Sequence, residues 1–275
     1  MGTRSSKVAG HGRARRNAQL RQPPRGRWRS AAVAIGLALA TAAAGLVVPK
    51  AWTAISDRLH PPVVVSVASQ ELSDDHSYVL PYVPGGAEAA AIAEPANLFG
   101  GDSPTLRRAT KAGTSTTRIV VQGKSSHTVV ITDMRARVLR REPAPTGTYF
   151  FAPAQGDLST IVVGVDLDEV NPVARSLVAG RRTDPYFRDN AVTLAAGEPA
   201  VFLVESHAAE PTAYEWALEI DLVVDGKAET RTVQRADGPF RLSGLGGHYS
   251  AVYEWAGDRW NHPDPVAYCG AGKCG

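Results

Sequence analysis

Acidic residues are missing from the first 30 positions of this 275-residue chain, and cysteine is missing everywhere before position 269. With no cysteine after the N-terminal apolar run, a lipid-modified anchor of the lipoprotein kind is excluded. Catalytic signatures are absent too. There is no Gly-x-Ser-x-Gly elbow and no His-Glu-x-x-His pair, so neither an α/β-hydrolase nor a zincin has motif support. Strand and helix patterns do not alternate regularly, which argues against a doubly wound sheet and its nucleotide site. The only long uncharged apolar run lies near the N-terminus, at residues 31–48.

That run, AAVAIGLALATAAAGLVV, spans ~27 Å as a helix, close to the roughly 30 Å hydrocarbon core of a bilayer. Trp28 and Trp52 bracket it as interfacial aromatics do, and Pro49 and Lys50 end it. Nine of the 30 basic residues precede it, from Arg4 to Arg29. Positive charge on one flank places residues 1–30 in the cytoplasm as a disordered basic tail, 31–48 across the lipid bilayer, and 49–62 as a juxtamembrane linker outside. The 21 basic residues that follow face all 27 acidic ones. The overall charge of +3 therefore conceals a basic tail and an acidic outer part, for which no nucleic-acid partner is expected. A cleaved signal peptide is the rival reading, since Ala38-Leu39-Ala40 and Ala42-Ala43-Ala44 offer small-residue cleavage sites. The long n-region and long apolar run favour the uncleaved anchor. Ala32, Gly36, Ala40 and Ala44 have small-xxx-small spacing, a pattern that arises readily in so Ala-rich a helix.

Beyond the linker the pattern is β. Strands are predicted at 63–67 and 78–82, then at 118–122, 127–137, 147–152 and 160–166. Further strands are predicted at 191–194, 200–205, 213–224, 228–234 and 249–255. In 213–224, Tyr214, Trp216, Leu218, Ile220, Leu222 and Val224 share one face, with Glu219 and Asp221 opposite, the period of a half-buried strand. Asp225-Gly226 marks a type I′ hairpin. The stretch 83–116 reads as a long loop with a short helix within 87–98. Many short strands with Gly- and Pro-rich turns predict a mainly β outer domain over 63–268, an immunoglobulin-like β-sandwich without the antibody Cys–Trp–Cys arrangement.

Several segments carry a resemblance. Gly-Glu-x-x-x-Phe-x-Val begins at Gly197, Tyr-x-Trp-x-Leu-x-Ile at Tyr214, and Gly-Pro-Phe-Arg at Gly238. Upstream, Val129 opens Val-Val-Ile-Thr-Asp-Met-Arg-Ala-Arg-Val. Together the chain resembles uncharacterised single-pass membrane proteins of high-GC Gram-positive bacteria, over roughly residues 62–245. The resemblance implies a location and a fold, with no assigned activity.

Candidate chemistry is sparse. Cys269 and Cys274, outside the cell, are expected to form a structural disulfide closing 269–275. A redox pair or half a zinc site fits their spacing less well. Asp166, Asp168, Glu169 and Asn171 cluster oxygen donors after a strand, a partial match to a calcium loop lacking the EF-hand Gly and distal Glu. A solvated loop is the simpler reading. His76 and His127 are isolated, and His207 and His248 sit at strand edges. Tyr253 and Trp255 are expected to face the core; Trp260 is the better candidate for exposure, with core packing still favoured. No catalytic residue and no cofactor is expected. The sequence thus points to a membrane-anchored outer domain that binds another envelope protein or a glycan. The alternatives are an envelope hydrolase with its site on loops 83–116 and 166–190, and a cleaved secreted protein.

Overall fold

The computed structural model describes residues 62–69, 77–92, 105, 108–124, 128–152, 161–257 and 259–274. The chain divides into two compact units, Met1–Ala54 and Ile55–Gly275, and every described residue belongs to the second. The basic tail, the 31–48 run and nearly all of the 49–62 linker lie outside the described residues. Among the described residues no helix is long and apolar enough to cross a membrane.

The second unit is mainly β. In chain order it contains β1 (Val63–Ser69), β2 (Tyr78–Leu80), α1 (Gly86–Ile92), β3 (Thr110–Lys111), β4 (Thr114–Gly123), β5 (Val129–Pro143), β6 (Thr148–Phe151) and β7 (Ile161–Asp166). There follow β8 (Arg175–Val178), β9 (Arg181–Pro185), α2 (Tyr186–Asp189), β10 (Val192–Leu194), β11 (Pro199–His207) and β12 (Thr212–Val224). Last come β13 (Lys227–Val233), β14 (Phe240–Ser243), β15 (Ala251–Trp255), β16 (Trp260–Asn261) and α3 (Pro265–Gly270).

These strands build three sheets. The first runs β1-β4-β11-β7-β8-β9, the second β10-β5-β12-β13 with β14 also on β12, and the third β16-β15-β6-β2-β3. Inward residues of the first two sheets meet in one core. Ile119, Val121, Val163, Val165, Phe202 and Val204 come from the first sheet; Ile131, Met134, Trp216, Leu218, Ile220 and Leu222 come from the second. This sandwich follows from strand alternation. Tyr214 through Val224 on the predicted inner face of β12 are each no more than 6% exposed, while Glu219 and Asp221 on the other face pair with Arg135. The predicted hairpin is present, with Asp225 at φ 48 and Gly226 at φ 79, both in the left-handed region a type I′ turn requires. Two register shifts in the β5–β12 ladder bend this long pair. One of them leaves Leu139 without a β12 partner and 45% exposed.

The third sheet buries both of its faces. Tyr78, Leu80, Phe150, Tyr253 and Trp260 line one, and Val79, Tyr149, Val252, Tyr249, Tyr268 and Cys274 the other. Trp260 is therefore core, 6% exposed and edge-on to Phe150, in line with the core packing favoured for it. β16, too short to show a period, turns it inward. Tyr249 lies ahead of β15 and packs opposite Tyr253, so the single face predicted for 249–255 holds only from Ala251 onward. Asp264 caps α3 by accepting from the Ala267 N–H at 2.8 Å. Cys269 and Cys274 are joined in a disulfide. So short a loop contributes at most ~2 kcal/mol through chain entropy; its place is to fasten the end of the chain onto the third sheet.

Candidate functional site: an arginine-lined cleft

The first sheet contains a parallel pair, β7 with β11, placing His207 beside Asp166 and Glu205 beside Gly164. Period-2 alternation sets Glu205, His207 and Asp166 on the face turned away from the core. The chain then leaves β7, and Pro172–Ala174 bond to the edge of β5 in the second sheet. There the Ala136 N–H donates to the Pro172 carbonyl and the Ala174 N–H to the Met134 carbonyl, both at 2.8 Å. It returns as the β8–β9 hairpin at the margin of the first sheet. An open polar cleft of about 550 Å³ lies there, lined by Asp166, Glu169, Arg175, Gly180, Arg181, Arg182 and Thr183.

Each arginine is held differently. Arg175 grips Glu169 with two parallel bonds, Nε to Oε1 at 3.1 Å and Nη2 to Oε2 at 3.2 Å, and donates from Nη1 to the Thr183 carbonyl at 3.1 Å. Planar guanidinium on planar carboxylate is the favoured geometry for this pairing. Arg182 lies across Gly164, where a Cβ would stand 2.8 Å from its Cγ. The missing side chain is thus the slot that holds the arginine stem. The Arg182 guanidinium rests between Asp166 at 3.4 Å and Glu205 at 4.0 Å. Arg181 is exposed and makes no side-chain hydrogen bond or ion pair among the described residues.

Behind Arg182 sits His207, whose Nδ1 lies 3.4 Å from the Thr114 hydroxyl. Burial and the Arg182 charge hold its pKa below the ordinary 6.5, with Asp166 and Asp168 pulling the other way. Burial pushes the Glu205 carboxyl up, partly offset by Arg182. These shifts give pH effects of opposite sign. A histidine depressed in the folded state costs stability as pH falls from about 6.5 through its folded pKa. A carboxyl raised in the folded state gives stability below about pH 4.3 that is lost as pH rises through its folded pKa. Thermal midpoints should therefore fall less for His207→Gln than for wild type between about pH 7 and 5. Glu205→Gln should raise the midpoint near neutrality and lose that advantage in acid. Equal slopes for wild type and His207→Gln would remove the assignment.

The residues proposed for calcium are engaged by protein groups. Asp166 faces Arg182 and accepts from the Asp168 N–H at 3.1 Å. Asp168 turns to the connection between β11 and β12, accepting from the Ala209 N–H at 2.7 Å, the Glu210 N–H at 3.2 Å and the Tyr214 hydroxyl at 2.5 Å. Glu169 is held by Arg175, and Asn171 is exposed. Among the described residues no three His, Cys, Asp or Glu side chains are grouped to hold a metal ion. His76 and His127 lie outside the described residues, and His248 is exposed and apart. Sequence reasoning placed a loop at 166–190 and missed the hairpin within it. Its turn is Ala179 at φ 49 followed by Gly180 at φ 72, and alanine does not announce a type I′ turn as Asn or Asp does. Gly180 followed directly by Arg181 and Arg182 was the available signal.

No protein-family model and no curated protein matches the chain.

Proposed function

We propose that the protein is a non-catalytic recognition domain, held outside the cell by residues 31–48, that uses the arginine-lined cleft to bind another component of the envelope. The observation that carries this reading is the contrast in Arg181, which is uncommitted among the described residues beside two arginines already fixed by carboxylates. An exposed cation with no partner among the described residues, on a hairpin beside an open cleft, is what recognition of a charged group requires. The anchor reading rests on the apolar run and the one-sided charge around it. The resemblance to single-pass membrane proteins of high-GC Gram-positive bacteria supports the same placement, and the two facing sheets fit an immunoglobulin-like arrangement. The parallel pair β7–β11 is a local departure from its all-antiparallel form, and the third sheet with its parallel pair β6–β15 is an addition to it.

The test is site-specific photocrosslinking in the native membrane. A crosslinker replacing Val178, 60% exposed in the β8–β9 hairpin, should capture a defined partner. One replacing Leu139, 45% exposed on β5, should not. Equal yields from the two positions would end the assignment of the cleft.

A second reading, an envelope hydrolase, draws on the contact between His207 and Thr114 beside Asp166. It requires turnover of an envelope substrate that disappears in His207→Gln while crosslinking from Val178 persists.

A further inference from the structure

Glu169 occupies Arg175 as an external carboxylate would, in a planar two-bond grip. It does so from the turn after β7, whose next residue, Val170, is fully exposed. We propose that the cleft is an exchange site for the carboxylate of an acidic polypeptide segment, and that Glu169 is its built-in competitor. This rests on the recognition reading above. A ligand carboxylate meets Arg181 first, since that side chain has no partner to release among the described residues. It then takes over Arg175 as Glu169 swings out into solvent with its turn.

Charge selects the ligand class. The lining carries three arginines against Asp166 and Glu169, one positive charge in excess, and Glu205 lies behind Arg182. A single-charged planar carboxylate matches that balance and the fork already formed with Glu169. A dianionic phosphate can also take a two-bond grip from arginine, but it meets the neighbouring carboxylates with twice the repulsion. The flanks indicate a polypeptide over a small organic acid. Val170 and Val178, 101% and 60% exposed, stand next to or near the lining residues Glu169 and Gly180 in the chain. They present apolar tips for aliphatic neighbours of an acidic residue.

The experiment uses the full-length protein in lipid nanodiscs and a fluorescein-labelled peptide of alternating glutamate and valine, read by anisotropy. Arg181→Ala should weaken binding by ~5-fold or more, as loss of a charge-assisted contact does. Glu169→Gln should tighten it by ~3-fold or more, because the competitor's charge is gone while its volume remains. Binding should fall with added salt, and inorganic phosphate should compete only at far higher concentration than free glutamate peptide. Thermal midpoints of both variants establish that the fold is kept. Weaker or unchanged binding in a folded Glu169→Gln overturns the exchange mechanism, and phosphate competing as well as glutamate overturns the ligand class. If Val178 crosslinks are lost in Arg181→Ala yet unchanged in Glu169→Gln, the exchange inference falls while the recognition reading stands. If neither crosslink nor peptide binding is found, both fall.

Discussion

Replacing Gly244 with alanine is expected to cost more than about 3 kcal/mol, the upper range for forced overpacking. A Cβ at this position would stand 1.7 Å from the Glu210 carbonyl oxygen and 2.7 Å from its carbon. Both atoms are backbone, so no side chain can step aside. Gly244 is not among the positive-φ glycines, and the cost is therefore contact and not dihedral strain. It lies just after β14, donates its N–H to the Thr212 carbonyl at 2.9 Å, and so fixes β14 against the connection from β11 to β12. To admit a methyl group that connection must move, and the start of β12 with it. Gly270→Ala is the matched control, since nothing lies within 4 Å of a Cβ there and its midpoint should be unchanged. A Gly244→Ala protein that melts with wild type would refute the close approach.

Asp168→Ala should destabilise the domain by about 3 kcal/mol, because three donors lose a charged acceptor at once. The Ala209 and Glu210 N–H groups and the buried Tyr214 hydroxyl all converge on this carboxylate. Burial, then the bond to Asp168, pushes the Tyr214 hydroxyl up to about 12, so it remains a donor throughout the physiological range. Tyr214→Phe leaves Asp168 its two backbone donors and should cost only about 1 kcal/mol. The double variant should cost less than the two single losses together, by about 1 kcal/mol, since the pair shares one bond. Hydrogen exchange supplies a local readout: amides of Ala209 and Glu210 should exchange faster in Asp168→Ala and little faster in Tyr214→Phe. Additive losses would separate Asp168 from Tyr214.

Alternation is what made most of the sandwich legible. β12 carries six apolar side chains at strict two-residue spacing, ending in Asp225-Gly226, and period with turn chemistry leaves little choice of structure. The third sheet was less visible because β3 and β16 are two-residue strands, shorter than one period. The candidate site was hardly legible at all. Its members come from β7, the turn beyond it, β8, β9 and β11, and they meet only because β7 and β11 run parallel with β8–β9 folded beside them. Parallel neighbours are set by long connections, which local pattern does not encode. The quartet from Asp166 to Asn171 shows the same limit. Proximity in sequence gathered four oxygen-bearing residues, and folding gave the three acidic ones to three different partners.

The order of strands in the first sheet has a mechanical consequence. β1, the first described strand, is one edge, and β9, beside the cleft, is the other. If the molecule is anchored at its N-terminus and gripped at the cleft, tension crosses the sheet from edge to edge. The ladders of hydrogen bonds from β1 to β9 then lie in series under that load. Such a sheet yields at its thinnest ladder, and the β7–β8 pairing, with only Val163–Ser176 and Gly164–Arg175 in register, is the shortest. Under load the cleft's own hairpin would peel away before the sandwich opened, releasing the partner while the domain stayed folded.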